Sequence, residues 1–174
     1  MNVSVKAAVA GAALLVSAVT SAQAQATPAT ASIPAQAVVQ TALSAATVRG
    51  LDFGSTFGGI TRTVLPTDVT SGEVTFTGGA NAEITITFTS LPATLTGPGT
   101  PIPLTYGANA AGTNPAGTRT GATLFDPTVA RTVRLNNTTG LLSLYLGGTV
   151  TPPANQAAGT YTGTVNLSAA YTGN

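Results

Sequence analysis

Most of this chain is written in one period: short runs in which apolar and polar residues alternate, broken by clusters of Gly, Pro, Asn and Thr roughly every 8 to 15 residues. Successive residues of a strand point to opposite faces, so each such run predicts a strand with one face turned inward. The clearest is 83–89, where Ile84, Ile86 and Phe88 share one face and Glu83, Thr85, Thr87 and Thr89 the other. That is the pattern of a half-buried antiparallel strand. Val74 and Phe76 mark another. Ile102 and Leu104 mark a third, in which the outward Pro103 predicts a sheet edge, because proline has no N–H for a ladder. Val133 and Leu135 lead through a turn at 136–140 to Leu142, Leu144 and Leu146.

The run 29–39 puts Ala29, Ala31, Ile33, Ala35, Ala37 and Val39 on one face with Pro34 between them, which predicts an edge or terminal strand. Gly147 and Gly148 predict a bulge or bend. The stretch 107–121 is rich in Gly, Ala, Asn and Thr without any period, and reads as a long loop suited to binding. At the end, Tyr161, Gly163, Val165, Leu167, Ala169 and Tyr171 alternate with Thr162, Thr164, Asn166, Ser168 and Ala170, which predicts one strand along 161–171. No segment past the first two dozen residues has helical spacing with caps, and so much Thr, Val, Gly and Pro disfavours helix. The expected fold is therefore all-β, an immunoglobulin-like antiparallel β-sandwich of about seven or eight strands. An outer-membrane barrel also alternates, but it needs aromatic girdles, and aromatic residues are only 5% of the chain.

The amino terminus is written differently. Lys6 precedes an apolar run over 7–19, followed by Ser21, Ala22, Gln23 and Ala24, where small residues alternate as a signal peptidase requires. The apolar run is shorter than the ~20 residues that span a bilayer, so 1–24 is expected to be a signal peptide and 25–174 a single domain. No integral membrane segment is expected once the signal is removed. Without Lys6, five arginines balance five acidic residues, and a neutral domain lacks the clustered positive charge that nucleic acid or anionic lipid requires. The chain has no cysteine, so the core holds without disulfides, and no histidine, the commonest general base and metal ligand.

Composition therefore argues against catalysis. Histidine- and cysteine-based nucleophile systems are missing, and the only lysine leaves with the signal. Glu73 and Glu83 are the pair to consider for glycosidic hydrolysis, but each sits opposite the apolar face of its strand and reads as a solvated charge. Asp126 before Pro127 predicts an Asx turn, and Asp52 is expected to face outward. The double glycines at 58, 78 and 147 lack the strand-to-helix setting of a phosphate loop, and the carboxylates are too scattered for a calcium site. The expectation is no enzyme, with no catalytic, cofactor-binding or metal-binding residue.

The carboxy-terminal run Ala158-Gly159-Thr160-Tyr161-Thr162-Gly163-Thr164-Val165-Asn166-Leu167-Ser168-Ala169-Ala170-Tyr171 is more specific. A glycine followed by alternating residues up to a near-terminal tyrosine resembles the last strand of pilins assembled by the chaperone-usher route. It also resembles spore-coat-U-like secreted proteins and an uncharacterised family of small exported Gram-negative domains. Leu51-Asp52-Phe53-Gly54 and Leu146-Gly147-Gly148-Thr149-Val150, with Gln156 and Gly159, are similar to that last family in particular.

The pilin resemblance implies an incomplete sandwich whose missing strand comes from the amino-terminal extension of the next subunit, through main-chain hydrogen bonds and alternate side chains entering pockets. The implied assembly strands carry Ile33 and Val39 on the donor side and Gly159, Tyr161, Val165, Leu167 and Tyr171 on the other. The alternation of 29–39 by itself fits either a donor strand or the first strand of a complete sandwich. The expected function is that of a fimbrial, pilus-like surface subunit supporting adhesion or biofilm formation, exported through the periplasm to the cell surface or an extracellular fimbrium. Its expected partners are further copies of itself or other surface subunits, a periplasmic chaperone and an outer-membrane usher. The alternative is a secreted monomeric binding module, an adhesin or glycan-binding domain, with a self-complete sandwich.

Overall fold

Alternating Thr, Val, Ile and Leu favours extended backbone, and the computed structural model, which describes residues 28–39 and 41–173, contains strands and no helix among them. The 1–24 segment read as a signal peptide lies outside the described residues. Twelve strands follow in chain order: β1 (Ser44–Arg49), β2 (Arg62–Val64), β3 (Gly72–Thr77), β4 (Glu83–Ser90), β5 (Thr94–Leu95), β6 (Ile102–Thr105), β7 (Ala111–Asn114), β8 (Thr123–Phe125), β9 (Arg131–Arg134), β10 (Leu141–Leu146), β11 (Gly148–Val150) and β12 (Asn166–Tyr171). They pair antiparallel in three sheets of order β1-β3-β10-β7-β8, β2-β11-β6-β5 and β12-β4-β9. The fold is thus all-β and sandwich-like, with more and shorter strands than the seven or eight expected. Among the described residues no helix is long and apolar enough to cross a membrane.

The main core lies where the five-stranded sheet faces the three-stranded one. Phe76, Leu142 and Leu144 meet Ile84 and Ile86, and Leu135 and Ala82 close the end. The inward set of β4 is the one its alternation predicts, while on the other face Thr85 and Thr132 pair hydroxyl to hydroxyl at 2.9 Å. A smaller cluster of Ile102, Leu104 and Val150 belongs to the four-stranded sheet. A single residue, Gly147, carries the chain from β10 in one sheet to β11 in another. A Cβ there would lie 2.2 Å from the Val64 carbonyl oxygen, so only glycine lets the backbones approach this closely. Of the bulge or bend expected at the glycine pair, the bend forms: Gly147 makes the crossing between sheets and Gly148 opens β11.

Three further expectations change. Residues 28–39 form no strand and are exposed, with Ile33 at 91% and Val39 at 94%, so 29–39 is not the first strand of this domain. The chain divides into two units between Ala37 and Val38, and all twelve strands belong to the second. The stretch 107–121 is not a long open loop, because β7 within it lies between β10 and β8 and is buried throughout. A strand covered on both faces has no reason to alternate, which is why Ala111, Gly112, Thr113 and Asn114 show no period. The Asn114 amide then ties down the residues that follow, donating to the Thr118 and Thr120 carbonyls at 2.8 and 3.2 Å and accepting from the Ala116 N–H at 2.8 Å. Finally, β6 is an inner strand. The Pro103 carbonyl accepts from the Thr151 N–H at 3.1 Å just past the end of β11, and its missing donor faces that same side, where the ladder has already stopped.

The outer face of the five-stranded sheet is also covered over β10. Arg119 stacks its guanidinium 4.9 Å from the centre of the Tyr145 ring, pairs with Glu73 and donates from Nε to the Ser71 hydroxyl at 3.3 Å. Glu73 is thus a largely covered, ion-paired group and not the solvated charge its strand position predicts. Glu83 lies 3.6 Å from Arg134. The Asx turn at Asp126 forms as expected: Oδ1 accepts from the Thr128 N–H and hydroxyl at 2.8 and 2.6 Å, and these bonds hold the carboxyl below its ordinary range.

Candidate functional site

The edge strands β1 and β12 belong to different sheets, yet both border one side of the sandwich. At the carboxy-terminal end of β12 the Tyr171 hydroxyl donates to the Thr41 carbonyl at 2.6 Å and accepts from the Gly79 N–H at 2.8 Å. It thereby ties β12 to the chain just ahead of β1 and to the turn after β3. Gly78 makes room for it, since a Cβ there would lie 2.3 Å from the Tyr171 oxygen. This end of the seam is closed.

Toward the other end the sheets part. An apolar groove of about 360 Å³ lies between the end of β1 and the start of β12. Val74 of β3, Phe88 of β4 and Leu144 of β10 line it from the sandwich, and Tyr106, Val165 and Leu167 from the sides. Apart from Leu144 these six side chains are only half-buried, in contrast to Phe76, Ile84 and Ile86 deeper in the same sandwich. Residues that would be core in a closed sandwich are left with one side uncovered. The two charged residues at the groove are engaged elsewhere, Arg49 with the Val69 carbonyl and Glu73 with Arg119. The Tyr106 hydroxyl is buried without a partner, and burial pushes its pKa up to about 12.

Chemically the site offers apolar surface flanked by two strand edges, whose outward N–H and C=O groups are a template for pairing with another chain. Among the described residues no group of three or more carboxylates is placed to hold a metal ion.

The residues singled out in the sequence divide three ways. Val165 and Leu167 line the groove, and Tyr171 closes the far end of its seam. Gly159 and Tyr161 lie elsewhere, because the predicted strand along 161–171 does not run its full length. Only Asn166–Tyr171 pairs with β4, and Thr162 makes an isolated bridge to Thr96. Gly159, at φ 150°, packs where a Cβ would lie 2.5 Å from Pro98 Cγ, and the Tyr161 hydroxyl donates to the Ala157 carbonyl at 2.9 Å and accepts from the Gly99 N–H at 3.0 Å. Ile33 and Val39 stand exposed outside any strand. Tyr106, Phe88 and Val74 were not singled out. All three sit on apolar faces that the alternation marks, but nothing in the alternation says which face is left uncovered.

A family model described as a domain of unknown function (DUF4402) matches residues 38–171, the span that holds every strand and the groove. No curated protein and no solved structure matches the chain.

Proposed function

The chain belongs to the DUF4402 family, and from that premise we propose that it is an exported, pilus-like structural subunit of the bacterial surface that polymerises by strand donation and so supports adhesion or biofilm formation. The observation that carries this reading is the apolar groove at the seam of two edge strands. An open edge beside uncovered apolar side chains is an incomplete surface, and an extended segment that alternates in the same period completes it. Residues 29–39 are such a segment: strandless, exposed, and carrying Ile33 and Val39 on one face.

Each of those two side chains contributes about 1.5–3 kcal/mol on full burial, the alanines much less, and the main-chain ladder adds to this along the strand. In this reading the 29–39 segment of one copy lies in the groove of the next. Export by a signal over 1–24, and delivery by a periplasmic chaperone and an outer-membrane usher, complete the route. The proposed role is mechanical, and it assigns no catalytic residue.

The test is an immunoblot of protein sheared from the native cell surface, run in detergent with and without boiling. A ladder of multiples that collapses to one band on boiling is expected, since a chain without cysteine forms no disulfide-linked polymer. The double variant Ile33→Asp, Val39→Asp is expected to lose the ladder while its purified monomer melts as the wild type does. A single monomer band from the wild-type surface in both lanes sinks the proposal.

A further inference from the structure

A second recess, of about 590 Å³, lies on the other side of Leu51, Phe53 and Leu95, which line both it and the groove. Residues 51–58 and 156–161 contribute most of its wall, and neither stretch belongs to a strand. These segments are nevertheless locked together. A Cβ on Gly58 would lie 2.5 Å from the Ala154 carbonyl oxygen, and the Gly59 N–H donates to the Pro152 carbonyl at 2.9 Å. A Cβ on Gly99 would lie 2.7 Å from the Tyr161 oxygen, and that hydroxyl joins Gly99 to Ala157. The recess is a preformed concavity, and a ligand entering it does not have to order its walls.

Its chemistry differs from that of the groove. The Phe57 ring is 82% exposed, a large apolar face left in water on a wall that mixes apolar with polar side chains. Asp52 accepts from the Gly54 N–H at 2.7 Å through Oδ1, which leaves Oδ2 available. Gln156 donates from Nε2 to the Thr100 carbonyl at 2.7 Å, and its Oε1 is buried without a partner. Ser55 and Thr160 add exposed hydroxyls. Asp52 is the one charged side chain in the wall, and the Arg62 guanidinium lies near Gly54, two residues on. An aromatic platform beside a carboxylate acceptor and hydroxyls matches a ligand with one C–H face and many hydroxyl groups. A purely apolar ligand would leave these polar groups unpaired, and an acidic one would meet the Asp52 carboxylate.

We propose that this recess binds a neutral saccharide, with a sugar ring stacked on Phe57 and its hydroxyls donating to Asp52 Oδ2 and exchanging hydrogen bonds with the Ser55 and Thr160 hydroxyls. The site gives a surface subunit a direct means of holding a glycan, and it makes no use of residues 29–39, so it stands or falls separately from polymerisation.

The experiment is saturation-transfer NMR on the secreted full chain with maltohexaose, cellohexaose and mannohexaose, and with hexagalacturonate as the acidic counterpart. At least one neutral oligosaccharide is expected to bind, with the strongest transfer at its ring C–H protons. Phe57→Ala is expected to weaken that binding about ten-fold or more, and Phe57→Tyr to retain it. Because Phe57 is exposed, the Ala variant is expected to keep the wild-type circular dichroism and the wild-type ladder. Binding of none of the neutral oligosaccharides, equal binding of hexagalacturonate, or unchanged affinity in Phe57→Ala overturns the proposal. A wild-type surface that gives no ladder while the protein still binds saccharide would count against polymerisation alone.

Discussion

β10 and β12 are both six residues long and both alternate, yet they occupy opposite extremes of the same sandwich. β10 lies between β3 and β7, and five of its six residues are buried, Ser143 and Tyr145 on one face as completely as Leu142, Leu144 and Leu146 on the other. β12 pairs with β4 alone; Leu167, Ala169 and Tyr171 are half-covered and the residues between them exposed. The difference arises from what covers each strand. Arg119, Ser71 and Glu73 close the outer face of β10, whereas among the described residues no strand pairs with the outer edge of β12, and only the clasp at Tyr171 ties it down. One strand is finished by its own chain, and the other is finished only at one end.

Four measurements break or sharpen that contrast. Leu142→Ala is expected to lower stability by about 2–5 kcal/mol in urea denaturation, because a fully buried leucine leaves a cavity that close-packed sheets fill poorly. Tyr171→Phe is expected to cost about 1–2 kcal/mol by leaving the Gly79 N–H and the Thr41 carbonyl without their partner. Faster hydrogen exchange at the Gly79 amide is the local readout. Leu167→Ala is expected to cost about 1 kcal/mol, since a half-covered side chain loses only part of its transfer free energy. A loss as large as that of Leu142→Ala would mean that the seam is as well sealed as the centre.

Tyr106→Phe is expected to change stability at neutral pH by less than about 0.5 kcal/mol, because the hydroxyl it removes has no partner. The effect appears in alkali instead. Burial raises the Tyr106 pKa from 10.0 to about 12, so the fold favours the neutral phenol. That contribution is fully present below pH 10 and is lost as pH rises through about 12. The Phe variant is expected to lose stability less steeply across that window. Equal slopes would place the Tyr106 hydroxyl in water and the groove wall with it.

Much of the secondary structure was legible where one face of a strand is wet. β4 reads correctly because Ile84 and Ile86 point to the core while Thr85 and Thr87 do not. The turn at Asp126 reads correctly because an Asx side chain makes its bonds within two residues. β7 was unreadable for the complementary reason: with both faces covered, its Ala, Gly, Thr and Asn leave no alternation to detect. The candidate groove was half-legible. Val165, Leu167 and Tyr171 lie on the face their alternation marks, but Gly159 and Tyr161, which continue the same period, turn away to clamp Gly99 and Pro98 at the second recess. A period of two persists through an extended loop as readily as through a paired strand, and only a partner strand distinguishes them.

The amino-acid sequence by itself determined that this chain is all-β, that its core forms without disulfides, and where the Asx turn at Asp126 falls, because backbone propensity, side-chain period and Asx bonding act over a few residues. Only the tertiary structure decided which strands are central and which are edges, that Gly147 carries the chain between sheets, and that β1 and β12 flank one apolar groove. Those outcomes depend on pairings between residues far apart in the chain, such as Thr41 with Tyr171, and a local period carries no record of its partner.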